Sequence, residues 1–313
     1  MAAQLIDGKA LAQKVRDQIA KDAVALLARS GMKPGLAAIL VGDDPASHLY
    51  VKNKHKACES VGIYVADHRL PATTSQAELL ALIDKVNRDP LIHGILVQLP
   101  LPKQIDSKVI LNAVLPEKDA DGFHPYNIGR LVEGNPVFEA CTPKGVIKMI
   151  ESTGVGIEGK RAVVLGRSNI VGKPVALMLM HRNATVTVCH SKTKDLPAVC
   201  REAEILVVAI GKAKFVTADM VCEGAVVVDV GVNRTEDGKF VGDVDFEPVS
   251  RKAAWISPVP GGVGPMTIAM LLQNTLESAQ RAVARVGAGG ARVPVAPSNA
   301  TGDGPPPARM GGR

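Results

Sequence analysis

One lysine lies on the apolar side of a predicted helix, where its amine could act as a general base. Capping and residue pattern predict this helix over residues 45–60. At about 100° per residue, Lys54 shares a face with Ala57, whereas Lys52 points the other way. Tyr50 precedes Lys54 by four residues, so their side chains can meet. Partial burial favours the neutral amine, which can accept a proton, but the amine could equally reach water past Ala57.

Two more polar side chains occur where a substrate could meet them. Gln98 is the one amide near the end of an apolar strand predicted over Gly94–Leu99. Ligand crevices form at the carboxyl ends of such strands in open α/β sheets. Asp121 precedes Gly122, and taken alone this pair fits an ordinary surface turn. Pro258–Thr267 is too rigid and rich in glycine for a simple linker, so we expect it to pass close to a ligand.

A glycine-rich segment connects an apolar strand with a helix at Gly166–Pro174. Glycines at such a junction let the backbone approach a pyrophosphate, whose charge the helix N-terminus favours. The spacing is not G-x-G-x-x-G, so a tight turn without a ligand remains an alternative.

The stretch Cys189–Lys194, after the next strand, indicates which dinucleotide this loop would prefer. It contains no acidic residue of the kind that holds the ribose of NAD. Ser191, Lys192 and Arg167 could instead bind a 2′-phosphate, unless they are only solvated loop residues. We therefore predict NADP rather than NAD.

The elements that position these residues indicate an α/β fold with largely parallel sheets. Strands are predicted at Leu36–Val41, Ile63–Leu70, Gly94–Leu99, Arg161–Leu165, Thr185–Cys189, Ile205–Ile210 and Ala225–Val230. Helices are predicted at 45–60, at 76–87, from Thr142 to Gly154, through Met178 and over Pro265–Val286. The last four strands are apolar enough to be buried on both faces, which is typical of a doubly wound, Rossmann-like nucleotide-binding domain.

Composition limits the class of protein and of partner. The 313 residues are 46% hydrophobic and 22% charged with a net charge of +6, as in soluble globular proteins. Aromatic residues are only 3%, which argues against nucleic acid as a partner. Five cysteines without a C-x-x-C pair argue against disulfides and zinc, so we expect no metal and a reducing compartment. Without a predicted leader or membrane segment, we expect a cytoplasmic protein.

Five motifs together resemble one enzyme family, over about residues 4 to 284. They are Tyr50-Val51-x-x-Lys54, Val97-Gln98-Leu99-Pro100-Leu101-Pro102, Lys118-Asp119-x-Asp121-Gly122-Phe123-His124, Gly166-Arg167-Ser168-x-Ile170-Val171-Gly172-x-Pro174 and Pro258–Thr267. Their order and spacing are similar to those of bacterial FolD, the bifunctional methylenetetrahydrofolate dehydrogenase/cyclohydrolases. The resemblance implies NADP-dependent oxidation of 5,10-methylenetetrahydrofolate to 5,10-methenyltetrahydrofolate. Hydrolysis to 10-formyltetrahydrofolate would follow in the same folate site.

The resemblance also implies roles for individual residues. Lys54 would be the acid/base of the hydrolytic step, Tyr50 would orient it and stack near the folate, and Gln98 would hydrogen-bond it. Asp121 would hold the pterin ring and complete the catalytic set. The reduced folate would be bound by Tyr50, Gln98, Leu99, Pro100, Asp121, Pro260, Gly261 and Gly262. NADP would be bound by Thr142, Gly166, Arg167, Ser168, Ile170, Gly172, Ser191 and Val232.

The resemblance further implies two domains with a cleft between them, and a homodimer. We expect a folate-binding catalytic domain from 1–140 plus 265–286, an NADP-binding domain from 141–264, and a disordered, dispensable Gly/Pro-rich tail from 287–313. A monofunctional dehydrogenase and a non-catalytic NADP-binding regulator remain alternatives, although neither needs Lys54 together with Gln98. A shikimate-dehydrogenase-like enzyme fits less well, because 97–102 offers few polar groups for a polyhydroxylated acid.

Overall fold

The computed structural model describes residues 2–289, which form a small and a larger parallel sheet flanked by helices. The strands are β1 Gln4–Leu5, β2 Gly35–Val41, β3 Tyr64–Leu70, β4 Gly94–Val97, β5 Arg161–Leu165, β6 Thr185–Cys189, β7 Ile205–Val208, β8 Val226–Asp229, β9 Asn233–Arg234, β10 Phe240–Val241 and β11 Trp255–Ile256. The helices are α1 Gly8–Ser30, α2 Pro45–Ser60, α3 Gln76–Arg88, α4 Ser107–Ala113, α5 Pro125–Val132, α6 Cys141–Ser152, α7 Gly172–Met180, α8 Leu196–Arg201, α9 Phe246–Ser250 and α10 Val263–Gly289. A short 3-10 helix spans Ala218–Met220.

The smaller sheet has the strand order β3-β2-β4, with both pairings parallel. Its central strand, β2, is buried along its whole length. The helix that follows begins where the sequence predicts, because the Asp44 carboxylate accepts a hydrogen bond from Ser47 N at 2.8 Å. The predicted capping box at Ser75 and Glu78 also forms and starts α3. These caps fix where α2 and α3 begin after the strands that precede them.

The larger sheet has the order β1-β11-β8-β7-β5-β6 and is parallel throughout. Since β5 lies between β6 and β7, the chain reverses its direction of winding at β5, as in a doubly wound fold. The prediction that β6 is buried on both faces is wrong. It is an edge strand, and Val188 on it is 38% exposed.

The last helix, α10, packs against both α1 and α6 and so connects the parts of the molecule that carry the two sheets. It begins at Val263, two residues before the predicted start, and continues through Gly289, beyond the predicted break at 287. The rest of the predicted tail, 290–313, lies outside the described residues. No helix within 2–289 is long and apolar enough to cross a membrane.

Three strands end earlier in the structure than the sequence predicts. β4 ends at Val97, β7 at Val208 and β8 at Asp229, because the chain leaves the sheet as soon as pairing with the neighbouring strand stops. Gln98 therefore lies just after its strand and not within it. This places its amide at the carboxyl edge of the smaller sheet, where side chains can turn towards a ligand.

Candidate active site

Lys54 is half-buried on the inner side of α2, and its amine donates a hydrogen bond to Gln98 Oε1 at 3.2 Å. Lys52, on the opposite side of the helix, is exposed. The amine is thus held by a side chain just after β4, and does not extend past Ala57 into water. Tyr50, one turn earlier on α2, is 47% exposed and available to a flat ligand.

The amide of Gln98 is held at both ends. Its Nε2 donates to the carbonyl of Leu99 at 2.7 Å, which leaves Oε1 to accept from Lys54. Its backbone N–H donates to Ile39 O in β2, so the residue is also fixed to the sheet. The Leu99–Pro100 peptide bond that follows is cis. An anchored amide of this kind sets both the position and the orientation of the lysine amine.

Asp121 lies near this amine, and burial raises the pKa of its carboxyl to about 6, while Lys54 acts in the opposite direction. Among residues 2–289, no donor forms a hydrogen bond with the Asp121 side chain, so its oxygens are available to a ligand. The neighbouring carboxylate of Asp119 has a different task. It accepts hydrogen bonds from His124 N and Asn127 Nδ2, both at 2.8 Å, and thereby fixes the turn.

The sequence analysis did not predict the residues whose side chains form hydrogen bonds with the backbone of this turn. Cys141 Sγ and Asn274 Nδ2 both donate to the carbonyl of Ala120, at 3.1 and 2.9 Å. Asn274 also accepts a hydrogen bond from the buried amine of Lys144 at 3.0 Å. The only signal for Asn274 in the sequence is that the polar run Gln273-Asn274-Thr275 interrupts the apolar residues of α10. Nothing local could have connected it with a turn 154 residues away.

The predicted dinucleotide loop lies between β5 and α7. Gly166 has φ of +124°, and a Cβ there would overlap the carbonyl of Ala209, so only glycine fits. A Cβ on Gly172 would likewise overlap the carbonyl of Gly166. Ser168 Oγ accepts hydrogen bonds from Val171 N and Gly172 N, at 3.1 and 3.3 Å, and so shapes the turn into the helix.

The other residues expected at the cofactor have open side chains. Arg167, Ile170, Ser191 and Val232 are all exposed. Within the described residues, the side chains of Arg167 and Ser191 form no hydrogen bond or ion pair. Thr142 differs, because its hydroxyl lies 3.0 Å from that of Thr267 and so links α6 with α10.

The segment expected to line the folate side precedes α10. A Cβ on Gly8 would overlap the carbonyl of Gly262, so this segment packs closely on the start of α1. Gly261 has φ of +109° and follows a cis bond between Val259 and Pro260. No hydrogen bond among the described residues joins 260–262 to Lys54, Gln98 or Asp121. The structure places these glycines directly before the start of α10, in contact with the start of α1.

The arrangement has no feature of a metal centre. No three His, Cys, Asp or Glu side chains within residues 2–289 are grouped so as to hold a metal ion. The site can carry out proton transfer. The Lys54 amine is hydrogen-bonded to the Gln98 amide and lies near the Asp121 carboxyl, whose pKa is raised. A glycine-rich turn between β5 and α7, with the exposed side chain of Arg167 on it, lies at the carboxyl edge of the larger sheet.

Comparison with known proteins accounts for both halves of this arrangement. Residues 6–121 match the family model "Tetrahydrofolate dehydrogenase/cyclohydrolase, catalytic domain", and residues 140–283 match the NAD(P)-binding domain of the same family. The Bifunctional protein FolD of Moorella thermoacetica is 60% identical over 281 residues, which are 90% of this chain and 100% of that protein.

Solved structures are similar to this chain over most of its length. The bifunctional FolD enzyme of Campylobacter jejuni has a TM-score of 0.87 at 52% identity, covering 90% of this chain and 99% of that chain. FolD of Trypanosoma brucei, complexed with NADP cofactor and inhibitor, also has a TM-score of 0.87, at 40% identity and the same coverage. The chain therefore belongs to the tetrahydrofolate dehydrogenase/cyclohydrolase family.

Proposed function

We propose that this protein oxidises 5,10-methylenetetrahydrofolate with NADP and then hydrolyses the 5,10-methenyl product to 10-formyltetrahydrofolate. The observation that carries the proposal is the hydrogen bond between Lys54 and Gln98 beside Asp121, in a chain that matches both family domains. Relatives that match about nine tenths of this chain over nearly their whole length are named as bifunctional proteins. The same site would therefore serve a redox step and a hydrolytic step.

In the first step, the main task of the site is to hold the reacting rings of the folate and of NADP in contact. Proton transfer matters less. NADP, when bound, supplies the hydride acceptor. The Asp121 carboxyl would hold the pterin ring, and Tyr50 would pack on it, with Leu99, Pro100, Pro260, Gly261 and Gly262 lining the folate. Loss of hydride leaves a cation on the one-carbon unit, which the ionised form of Asp121 would stabilise. Correct placement is the main source of rate in such a step.

In the second step, water adds to the methenyl carbon, and the bond from this carbon to N5 breaks. Lys54 would take a proton from the water and deliver a proton to N5, while the formyl group stays on N10. The cation and one water thus give neutral 10-formyltetrahydrofolate and one released proton. Gln98 would keep the amine in place through their hydrogen bond.

Two assays with the purified protein test the proposal. With NADP and methylenetetrahydrofolate, we expect NADPH to form. With methenyltetrahydrofolate alone, we expect hydrolysis well above the spontaneous rate. NADPH formation without faster hydrolysis would indicate a monofunctional dehydrogenase, and NADP binding without either reaction would indicate a regulator.

We infer that NADP is held by the loop after β5, with Arg167 and Ser191 at the 2′-phosphate. Both side chains are exposed and lack partners among the described residues, and the Ser168 turn presents the start of α7. Gly166, Ile170 and Gly172 would lie along the pyrophosphate, with Thr142 and Val232 further along the cofactor. The NADP-bound relative from Trypanosoma brucei supports this choice of dinucleotide.

We propose a division into a folate-binding domain of 1–140 with 265–286 and an NADP-binding domain of 141–264. The return of α10 onto α1 supports it. β1 crosses the division, because it pairs with β11 in the larger sheet. Limited proteolysis should cut first in the exposed chain before α6, at 133–135, and before α10, near Pro260, and cuts confined to other regions would contradict this division.

We propose that the protein is a homodimer that associates through β6. This strand is the edge of the larger sheet, and its Val188 side chain is 38% exposed. Light scattering at micromolar concentration should give twice the monomer mass, and Val188→Lys should lower it. A monomeric unchanged protein would contradict the proposal.

We also propose that the protein acts in the cytoplasm. All five cysteines are free and four of them are buried, as expected of thiols in a reducing compartment. Cell fractionation should place the protein with cytoplasmic enzymes, and recovery from an oxidising compartment would contradict this.

A further inference from the structure

The buried carboxylate of Asp243, which is not one of the proposed catalytic residues, accepts hydrogen bonds from two loops. Asp243 is fully buried, and its Oδ2 accepts hydrogen bonds from Ile210 N and Gly211 N at 2.7 and 2.9 Å. Its Oδ1 accepts from Lys212 N at 2.7 Å and from Asn233 Nδ2 at 2.9 Å. Three successive amides after β7 and one side chain after β8 thus converge on a single carboxylate.

A second carboxylate holds the first in place. Asp229, at the end of β8, accepts hydrogen bonds from the backbone N–H groups of Asp243 and Val244, at 3.0 and 2.9 Å, and from Gly231 N at 2.9 Å. A Cβ on Gly231 would overlap the Asp243 carboxyl, and one on Gly242 would overlap that of Asp229. The hydrogen bonds to Asp229 and this close packing together hold Asp243 in place.

The two loops gathered by Asp243 lie where the dinucleotide is expected. β7 is the neighbour of β5 at the point where the sheet reverses its winding, and dinucleotides bind at that crevice. The carbonyl of Ala209, just before the three amides, is what excludes a Cβ at Gly166. The loop after β8 carries Val232, which is 51% exposed. Among the described residues, loop 209–212 has no carboxylate other than Asp243 to fix it, whereas the second loop is also held at Gly231 by Asp229.

We propose that Asp243 is a positioning residue for the dinucleotide, because it fixes loops 209–212 and 231–233 in the arrangement that the cofactor requires. This inference rests on the proposed function, since it assumes that NADP binds beside Gly166. Asp243 does not itself touch the cofactor. Its effect passes through the Ile210–Lys212 backbone and through Asn233, whose neighbour Val232 faces outward.

The variant Asp243→Asn tests the proposal. An amide keeps the shape but offers one acceptor oxygen, and its NH₂ group would face backbone N–H donors. We expect the Kd and KM for NADP to rise by about 10- to 50-fold, as for loss of one or two charge-assisted hydrogen bonds. The hydrolysis of methenyltetrahydrofolate, which needs no NADP, should stay within about twofold of the unchanged protein. Asp237→Asn, at an exposed turn, is the control with the same change of charge.

An equal loss of both activities, or an unchanged Kd for NADP in folded Asp243→Asn, would overturn the proposal. If this variant does not fold, Asn233→Ala decides. It removes one of the four donors, so we expect a three- to tenfold weaker Kd with hydrolysis unchanged, and an unaltered Kd would overturn the role. Failure of the unchanged protein to bind NADP would instead refute the proposed function.

Discussion

At the residue scale, the charge state of Asp121 governs what the site presents to a ligand. Burial raises the pKa of this carboxyl to about 6, although Lys54 favours its ionised form. Near neutral pH, the carboxylate therefore stands ionised beside the lysine, and below pH 6 it holds a proton. The ionised carboxylate stabilises a cationic intermediate, whereas the protonated carboxyl does not.

The variant Asp121→Asn tests this pKa through stability. Because the pKa lies at about 6 in the folded protein and at 3.8 ordinarily, the folded state keeps a proton that the unfolded state releases. The stability of the unchanged protein thus falls as the pH rises through this window. The free energy of unfolding of Asp121→Asn, relative to the unchanged protein, should rise by on the order of 2 kcal/mol from pH 4 to 7. Urea titrations measure it, and a flat or falling difference would contradict the assignment.

Arg167→Ala tests the choice of cofactor. If the exposed guanidinium binds the 2′-phosphate, its loss should raise the KM for NADP by about 10- to 100-fold and leave that for NAD nearly unchanged. Lys173→Ala, a nearby lysine bound to Asn169, is the control. Equal effects on NADP and NAD would show that Arg167 does not recognise the phosphate.

At the element scale, local signals predicted helix starts better than strand ends or exposure. The Asp44 and Ser75 caps act between residues three apart, so the sequence alone reveals them. The long helix α1 was not predicted, although Asp7 caps its start and Gly31 ends it in the left-handed conformation. Burial of β6 was wrongly predicted, because apolar composition does not say which strand is at the edge.

Gly166→Ala tests the junction of β5 and α7. With φ of +124° and the Ala209 carbonyl against it, position 166 cannot take a Cβ without moving the loop. We expect NADP affinity to fall by at least about tenfold, with a loss of stability of about 1–3 kcal/mol. Gly156→Ala is the matched control, since it has ordinary φ and open space. Calorimetric titration with NADP measures the effect, and equal affinities of the two variants would contradict it.

At the scale of the whole molecule, polar contacts between distant segments hold the site together. The amine of Lys144 in α6 is buried and donates to Glu277 and Asn274 of α10, at 3.1 and 3.0 Å. Asn274 in turn donates to the carbonyl of Ala120, next to Asp121. Motif spacing identified Lys54, Gln98 and Asp121 as candidates, but contacts across 130 residues or more leave no local pattern.

Glu277→Gln tests this connection. The substitution leaves the buried Lys144 ammonium facing a neutral group, so we expect a loss of about 2 kcal/mol in the free energy of unfolding. Glu223→Gln at the surface is the control. Adding Lys144→Met to Glu277→Gln should recover part of the loss, because it removes the unpaired charge. Urea unfolding that shows no loss for Glu277→Gln would contradict the importance of this pair.

We propose that the Lys54 amine carries out the hydrolytic step in the same site as hydride transfer. The most direct measurement mixes Lys54→Ala with NADP and methylenetetrahydrofolate and follows the absorbance of NADPH and of methenyltetrahydrofolate together, beside the unchanged protein and Lys52→Ala. We predict that methenyltetrahydrofolate accumulates only with Lys54→Ala, with hydrolysis at least about 100-fold slower. Hydrolysis by Lys54→Ala as fast as by the unchanged protein would contradict the claim.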